Sequence, residues 1–104
     1  MRRAAAVPDG AVTLAQFEPL VGSPFTLQLD DASCLTTQLI EARPGHYPGP
    51  EGRASFSLTF EAPPEPPLPQ RIYRLQHAQL GSLDLFLVPV ARSATGLHYE
   101  AVFG

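Results

Sequence analysis

Apolar and polar side chains alternate with a period of two through most of this chain. In the clearest example, Phe56, Leu58 and Phe60 are separated by serine and threonine. This pattern is typical of a β-strand with one buried face. It predicts six antiparallel strands, near residues 24–30, 34–42, 54–61, 71–77, 82–89 and 97–103.

Prolines and glycines separate these segments. The chain has 12 prolines and 8 glycines, which disfavours long helices. Proline and glycine fill six of the nine positions from Pro44 to Gly52, and five prolines lie between Ala62 and Gln70. We expect an open loop in the first stretch and a connection between strands in the second, because proline cannot donate a hydrogen bond to a central ladder.

One short stretch has a helical period instead. Thr13 and Gln16 have the spacing of a capping box, and Leu14 and Phe17 fall on one face of the helix that would follow. Pro19 limits its length. We predict a helix near residues 13–20 that lies as a lid on one end of the sheet.

The predicted fold is therefore all-β: a small six-stranded antiparallel meander, closed as a barrel or folded as a two-layer sandwich, with one short N-terminal helix. A length of 104 residues fits one domain, which we place at 13–104 after a disordered lead at 1–12. The apolar phase of the strands predicts a core made of Phe25, Leu27, Phe56, Leu58, Phe60, Tyr73, Leu75, Leu85, Leu87, Tyr99 and Phe103.

Charge and composition exclude several classes of function. The net charge is −3 and all seven basic residues are arginines, so a basic stripe for phosphates is missing and we expect no nucleic-acid partner. We expect no membrane span either. Arg2 and Arg3 followed by small apolar residues imitate a signal peptide, but Asp9 and Gly10 interrupt the apolar stretch. The simpler expectation is a cytoplasmic protein.

Residues that could carry chemistry are scattered. His46, His77 and His98 do not have metal-ligand spacing, and Cys34 has no neighbouring histidine or arginine to activate it. The acidic pair Asp30–Asp31 is typical of a turn. We therefore expect no metal site, no cofactor and no enzymatic activity. An enzyme whose active site is assembled from residues far apart in the sequence is a third class of function, beside the two considered below.

Three motifs carry a resemblance to a known family. They are Gln70-x-x-Tyr73-x-Leu75-x-His77-x-x-Leu80-Gly81, then Leu85–Val90, then Tyr99–Phe103. Over residues 13–104 the chain resembles a family of small bacterial all-β proteins of unknown function, often encoded near phage-tail-like components. The resemblance implies no catalytic residues. It does imply an accessory role in an assembly.

The first function class is a non-catalytic interaction domain. The strand at 82–89 is apolar on both faces, which is typical of a central strand covered on both sides. The short helix, a second copy or another protein would have to cover the outer face. We expect an interaction surface at Phe86 and Val88, together with Arg74 and Gln76 on the preceding strand. The expected partner is another protein or a second copy of the chain.

The alternative class is a domain that binds a small apolar or saccharide-like ligand. Its site would be the mouth of the barrel, near Tyr47, His77 and Tyr99. A separate motif, Pro66–Arg71, fits the P-x-x-P pattern of ligands for aromatic-grooved domains. We interpret it as a rigid connection, since a stiff loop needs no partner.

Overall fold

The computed structural model describes residues 13–30, 33–48 and 54–103, and for 46–48 and 54 it describes the backbone alone. The expected disordered lead at 1–12 lies outside this part of the chain. A short helix α1 (Leu14–Phe17) continues into a 3₁₀ turn, Glu18–Leu20. The strands that follow are β1 (Pro24–Gln28), β2 (Cys34–Pro48), β3 (Ala54–Ala62), β4 (Arg71–His77), β5 (Gly81–Ser93) and β6 (Gly96–Phe103).

The six strands form an antiparallel all-β fold, as the period of two predicts. They hydrogen-bond in the order β1-β2-β3-β6-β5-β4 and close into a barrel. The order differs from a plain meander at one connection. β3 pairs with β6, from Phe56↔Phe103 to Ala62↔Leu97, whereas β4 pairs with β1 and β5. The proline-rich segment 63–70 carries the chain between these two parts of the ring.

Two strands are longer than the sequence predicts. The expected open loop from Pro44 to Gly52 is wrong in its first half, because β2 continues to Pro48 and pairs with β3 at Pro44↔Phe56. β5 likewise continues past Pro89, with a register shift between Pro89 and Ala91. In both places the strand extends beyond its last pair with one of its two neighbours. The pairs of β2 with β1 stop at Gln38, and those of β5 with β4 stop at Leu87. Proline is tolerated there because it lies at an edge.

The inward phase of the strands forms the core. All eleven side chains predicted to be buried are buried, and the buried set also includes Phe17, Leu20, Leu39 and Leu83. Phe56 and Phe103 stack with their ring centroids 4.5 Å apart. Deeper along β3, Phe60 meets Phe25 edge-on at 5.2 Å. Edge-to-face and offset pairs of this kind add to the free energy gained from burying the rings.

The helix closes the barrel where β3 begins. The backbone N–H of Thr13 donates to Oε1 of Gln16 at 2.8 Å, which satisfies one free donor at the helix start. Phe17 is fully buried, with its ring centroid 6.0 Å from Phe56 and 6.1 Å from Phe103. The predicted lid is therefore confirmed as a plug at one end. Among the described residues, no helical segment has the length and apolar content needed to span a bilayer.

Candidate functional site

A tight hairpin of β4 and β5 positions the predicted interaction surface. The strands pair from His77↔Gly81 to Arg71↔Leu87. Gly81 has a φ of +79°. A residue with a Cβ atom would be strained in this conformation, so glycine is favoured at this turn. Because side chains alternate along a strand, Tyr73, Leu75, Leu83 and Leu85 point into the core and the residues between them point outward.

Large apolar side chains lie on this outward face. Ile72 and Phe86 form a directly opposed pair, and they are 64% and 51% exposed. On β6, Val102 is 70% exposed. The pairs of β5 with β6 end at Val88↔Glu100, so Phe86 and Val102 each lie two residues beyond the last pair, in the outward phase of their strands. Ile72, Phe86 and Val102 thus share the outer face of three neighbouring strands, and we call these three residues the apolar row.

Of the three covers expected for the outer face of β5, the short helix is ruled out. Phe86 is half exposed, and the helix that could have covered it packs through Phe17 on Phe56 and Phe103 instead. The apolar residues on the outer face of β5 therefore do not reflect a strand packed between two layers. In a closed barrel the outer face of every strand can meet solvent. An apolar row there is a surface feature, and such patches mark interaction sites.

Charged and polar groups flank the apolar row. Arg74 pairs with Asp84 across the hairpin, donating from Nε at 3.0 Å and from Nη2 at 3.3 Å. This hydrogen bonding to the carboxylate raises the pKa of Arg74. Gln76 lies further toward the turn, opposite Ser82. On the other side of the row, Val88 is partly buried beside Glu100.

The four surface residues predicted from sequence thus lie on one outer face, and two members of the row were missed. Ile72 shares the outward phase of Arg74 and Gln76, and Val102 shares that of His98 and Glu100. An apolar residue in the polar phase of a strand is the signal that identifies both.

Of the residues in the alternative ligand site, Tyr99 does not face an opening. Tyr99 is 1% exposed, and its hydroxyl accepts a hydrogen bond from the backbone N–H of Leu68 at 2.9 Å. His77 packs on Phe25 with ring centroids 4.5 Å apart, and its Nδ1 accepts from the N–H of Gln79 at 3.0 Å. Tyr47 lies on β2, and its side chain is outside the described residues.

Two tyrosines hold the proline-rich segment onto the barrel. Besides the bond from Leu68 to Tyr99, the hydroxyl of Tyr73 donates to the carbonyl of Pro69 at 2.6 Å. Burial raises the pKa of Tyr73, so this donor stays protonated. Leu68 itself is buried, and the guanidinium of Arg71 lies 4.8 Å from the centre of the Tyr73 ring. The P-x-x-P motif is therefore folded back on its own domain, as a rigid connection would be.

A polar cluster on the outside of β3 was not predicted. Oε2 of Glu61 accepts from the hydroxyls of Thr95 at 2.8 Å and Ser93 at 3.0 Å, and it lies 3.0 Å from Nε2 of His98. The hydrogen bond from Thr95, followed by those from His98 and Ser93, holds the pKa of Glu61 below its ordinary value. The serine donates to the carboxylate rather than to the histidine, so this arrangement pins the β5–β6 turn to β3 and does not activate a nucleophile.

An open groove of about 500 Å³ runs beside this cluster, lined by Gln38, Thr36, Pro64 and Thr95 among others. Within the described part of the chain, no group of three histidine, cysteine, aspartate or glutamate side chains could hold a metal ion. Asp30 accepts from the backbone and hydroxyl of Ser33 at 2.9 Å, as a turn residue does, while Asp31 is outside the described residues. Cys34 is an exposed free thiol, and the side chain of His46 is not described.

A family model matches residues 12–103, and the chain belongs to that family, described as a domain of unknown function (DUF6916). No curated protein and no solved structure matches the chain.

Proposed function

We propose that this domain is a non-catalytic interaction module that docks another protein surface on the outer face of β4, β5 and β6. The observation that carries the proposal is the apolar row, in which Ile72, Phe86 and Val102 are each at least half exposed. Scattered apolar residues on a surface are ordinary, but here two of the three are directly opposed and the third lies on the same outer face of the next strand. An accessory role beside phage-tail-like components belongs to this proposal, since assembly of that kind requires docking surfaces.

The geometry favours docking over ligand binding in the barrel. Side chains of the described strands form a buried core in the interior, and Tyr99, one of the proposed ligand contacts, is buried with its hydroxyl bonded to the amide of Leu68. In contrast, Phe86 in the apolar row is exposed and can pack against the surface of a partner. Aromatic side chains that are buried on binding contribute most to the affinity of protein interfaces.

Site-specific photo-crosslinking in the native cell tests the proposal, because it captures whichever protein lies against a chosen residue. A photoreactive phenylalanine analogue replaces Phe86 in one chain and Thr36 in a control chain. Thr36 is an exposed residue on β2, which lies across the ring from β5. We expect a discrete crosslinked product of defined mass from position 86 and none from position 36. Equal labelling from both positions, or none from position 86, contradicts docking on this face.

A further inference from the structure

We infer that the partner docked on the apolar row is a second copy of the same chain, related by two-fold symmetry. The inference rests on the proposed docking function and adds the identity of the partner. It comes from the charges at the corners of the row rather than from its apolar character, which any partner could match.

The apolar row has a cation at one corner and an anion at the diagonally opposite corner. Arg74 lies on β4, one row toward the β4–β5 turn from Ile72. Glu100 lies on β6, one row to the other side of Val102. Asp84 accepts hydrogen bonds from two N–H groups of Arg74. A guanidinium has five N–H donors, so Arg74 can still bind a second carboxylate. Across the described residues, the carboxylate of Glu100 forms no ion pair.

This distribution of charge is complementary to itself. Consider a two-fold axis in the plane of contact that passes through Phe86, perpendicular to the Arg74–Glu100 diagonal. It places Arg74 of each copy over Glu100 of the other and brings the two Phe86 side chains together at the centre. The strands of the two copies then cross at a steep angle, a known mode of face-to-face packing between sheets.

A partner with a single sign of charge fits the face less well. An acidic surface would meet the carboxylates of Asp84 and Glu100 as like charges, and a basic surface would leave the remaining N–H donors of Arg74 without an acceptor. A second copy supplies a carboxylate to the remaining donors of Arg74 and a guanidinium to Glu100, and like charges brought together across an interface weaken binding of a wrong partner. Two-fold contacts of a patch with itself are also the commonest arrangement among protein oligomers.

Sedimentation equilibrium over a range of concentrations, from about 1 μM to about 1 mM, measures this association directly. We expect the wild-type chain to convert from monomer to dimer within this range. Phe86→Asp should remain folded by circular dichroism and raise the dissociation constant at least 30-fold, since the aspartate would be buried at the centre. A wild-type chain that stays monomeric throughout overturns the inference.

Charge exchange at the corners tests the predicted pairing. Arg74→Glu and Glu100→Arg should each weaken self-association about 10-fold, because each places like charges together. An equimolar mixture of these two variants should recover the wild-type affinity, since each copy then supplies the charge that the other lacks. If the mixture associates no better than either variant alone, Arg74 and Glu100 do not pair and the inference is wrong. Thr36→Arg, on β2 across the ring from the row, is the matched control and should leave the affinity unchanged.

The crosslinking experiment separates this inference from the proposed function. A product from position 86 with twice the mass of the chain supports both. A product that contains a different protein supports docking on the apolar row and overturns the second copy as its partner. The absence of a product from position 86 contradicts the docking function itself.

Discussion

At the scale of single residues, Phe60 and Phe86 show how strand phase decides what a phenylalanine contributes. Phe60 is fully buried on β3 and meets Phe25, whereas Phe86 is half exposed on β5. We expect Phe60→Ala to lower the free energy of unfolding by about 3–5 kcal/mol, because it removes buried ring contacts and leaves a cavity. The matched change Phe86→Ala should cost less than about 0.5 kcal/mol at dilute concentration. Urea unfolding of both variants measures the difference.

A loss of about 3–5 kcal/mol would be a large fraction of the roughly 5–15 kcal/mol expected for a domain of this size. Phe60→Ala is therefore best compared at low temperature, where both proteins are still folded. An unchanged unfolding midpoint for Phe60→Ala would show that β3 does not form the core as described.

The Glu61 cluster makes the free energy of unfolding depend on pH in the acid range. The hydrogen bond from Thr95, with those from His98 and Ser93, lowers the pKa of Glu61 below its ordinary 4.5. A carboxyl group whose pKa is lower in the folded state stabilises the fold fully above its unfolded value, and this stability is lost as the pH falls through the folded value. We expect the unfolding free energy contributed by Glu61 to decline as the pH falls below 4.5.

Glu61→Gln isolates this contribution from those of the other carboxyl groups. The variant keeps the size of the side chain but cannot titrate. The difference in unfolding free energy between wild type and variant should shrink as the pH is lowered, and reach its full value at neutral pH. A difference that is the same at every pH would contradict the assigned role of the Glu61 carboxylate.

At the scale of structural elements, the proline-rich segment 63–70 is fixed by two tyrosines with opposite hydrogen-bonding roles. Tyr99 accepts from the N–H of Leu68, and Tyr73 donates to the carbonyl of Pro69. We expect Tyr99→Phe to cost about 1–3 kcal/mol, because it leaves the buried Leu68 amide without a partner. Hydrogen exchange of that amide should become faster.

Tyr73→Phe is the matched control for this element. It removes a hydroxyl of the same kind but leaves the bond between Leu68 and Tyr99 in place, so the Leu68 amide should keep more of its protection. If both variants release that amide equally, the segment opens as one unit and the individual bond to Tyr99 is not what protects it.

The lengths of β2 and β5 show why element boundaries were harder to predict than elements. Pro44 and Pro89 predict breaks because proline removes a donor from the ladder. Each lies where its strand has a neighbour on one side only, so the missing donor faces an edge. Whether a strand has one neighbour or two depends on its place in the closed ring, which a local pattern does not contain.

At the scale of the whole molecule, the period of two was sufficient for the fold class and the core but not for the strand order. The inward phase of every strand is buried as predicted, because one face of each strand must be desolvated in any closed arrangement. β3 pairs with β6 because segment 63–70 carries the chain to the far side of the ring before β4 begins. The prolines of this segment predict a connection, but they do not predict which strand it places beside β3.

The same limit applies to the candidate site. Phe86, Val88, Arg74 and Gln76 could be grouped from sequence because they lie on one hairpin. Ile72 lies on the same hairpin and could have been identified from the outward phase of β4. Val102 is on β6, 16 positions after Phe86 in the chain, and only the strand order of the ring places it on the neighbouring strand. The Glu61 cluster likewise joins β3 to the β5–β6 turn, over more than 30 positions in sequence.

Dimer formation through the apolar row would make the stability of the whole molecule depend on its concentration. A second copy that binds only the folded chain shifts the equilibrium away from the unfolded state by mass action. Because the free chain is depleted as dimer forms, raising the total concentration from near the dissociation constant to about 100 times that value should add on the order of 1 kcal/mol and raise the thermal midpoint by roughly 5 °C. Phe86→Asp should remove this dependence while keeping the dilute-limit midpoint of the wild type. Calorimetry at several concentrations decides the matter: an equal rise in midpoint for both proteins would mean that they associate through a surface other than the apolar row.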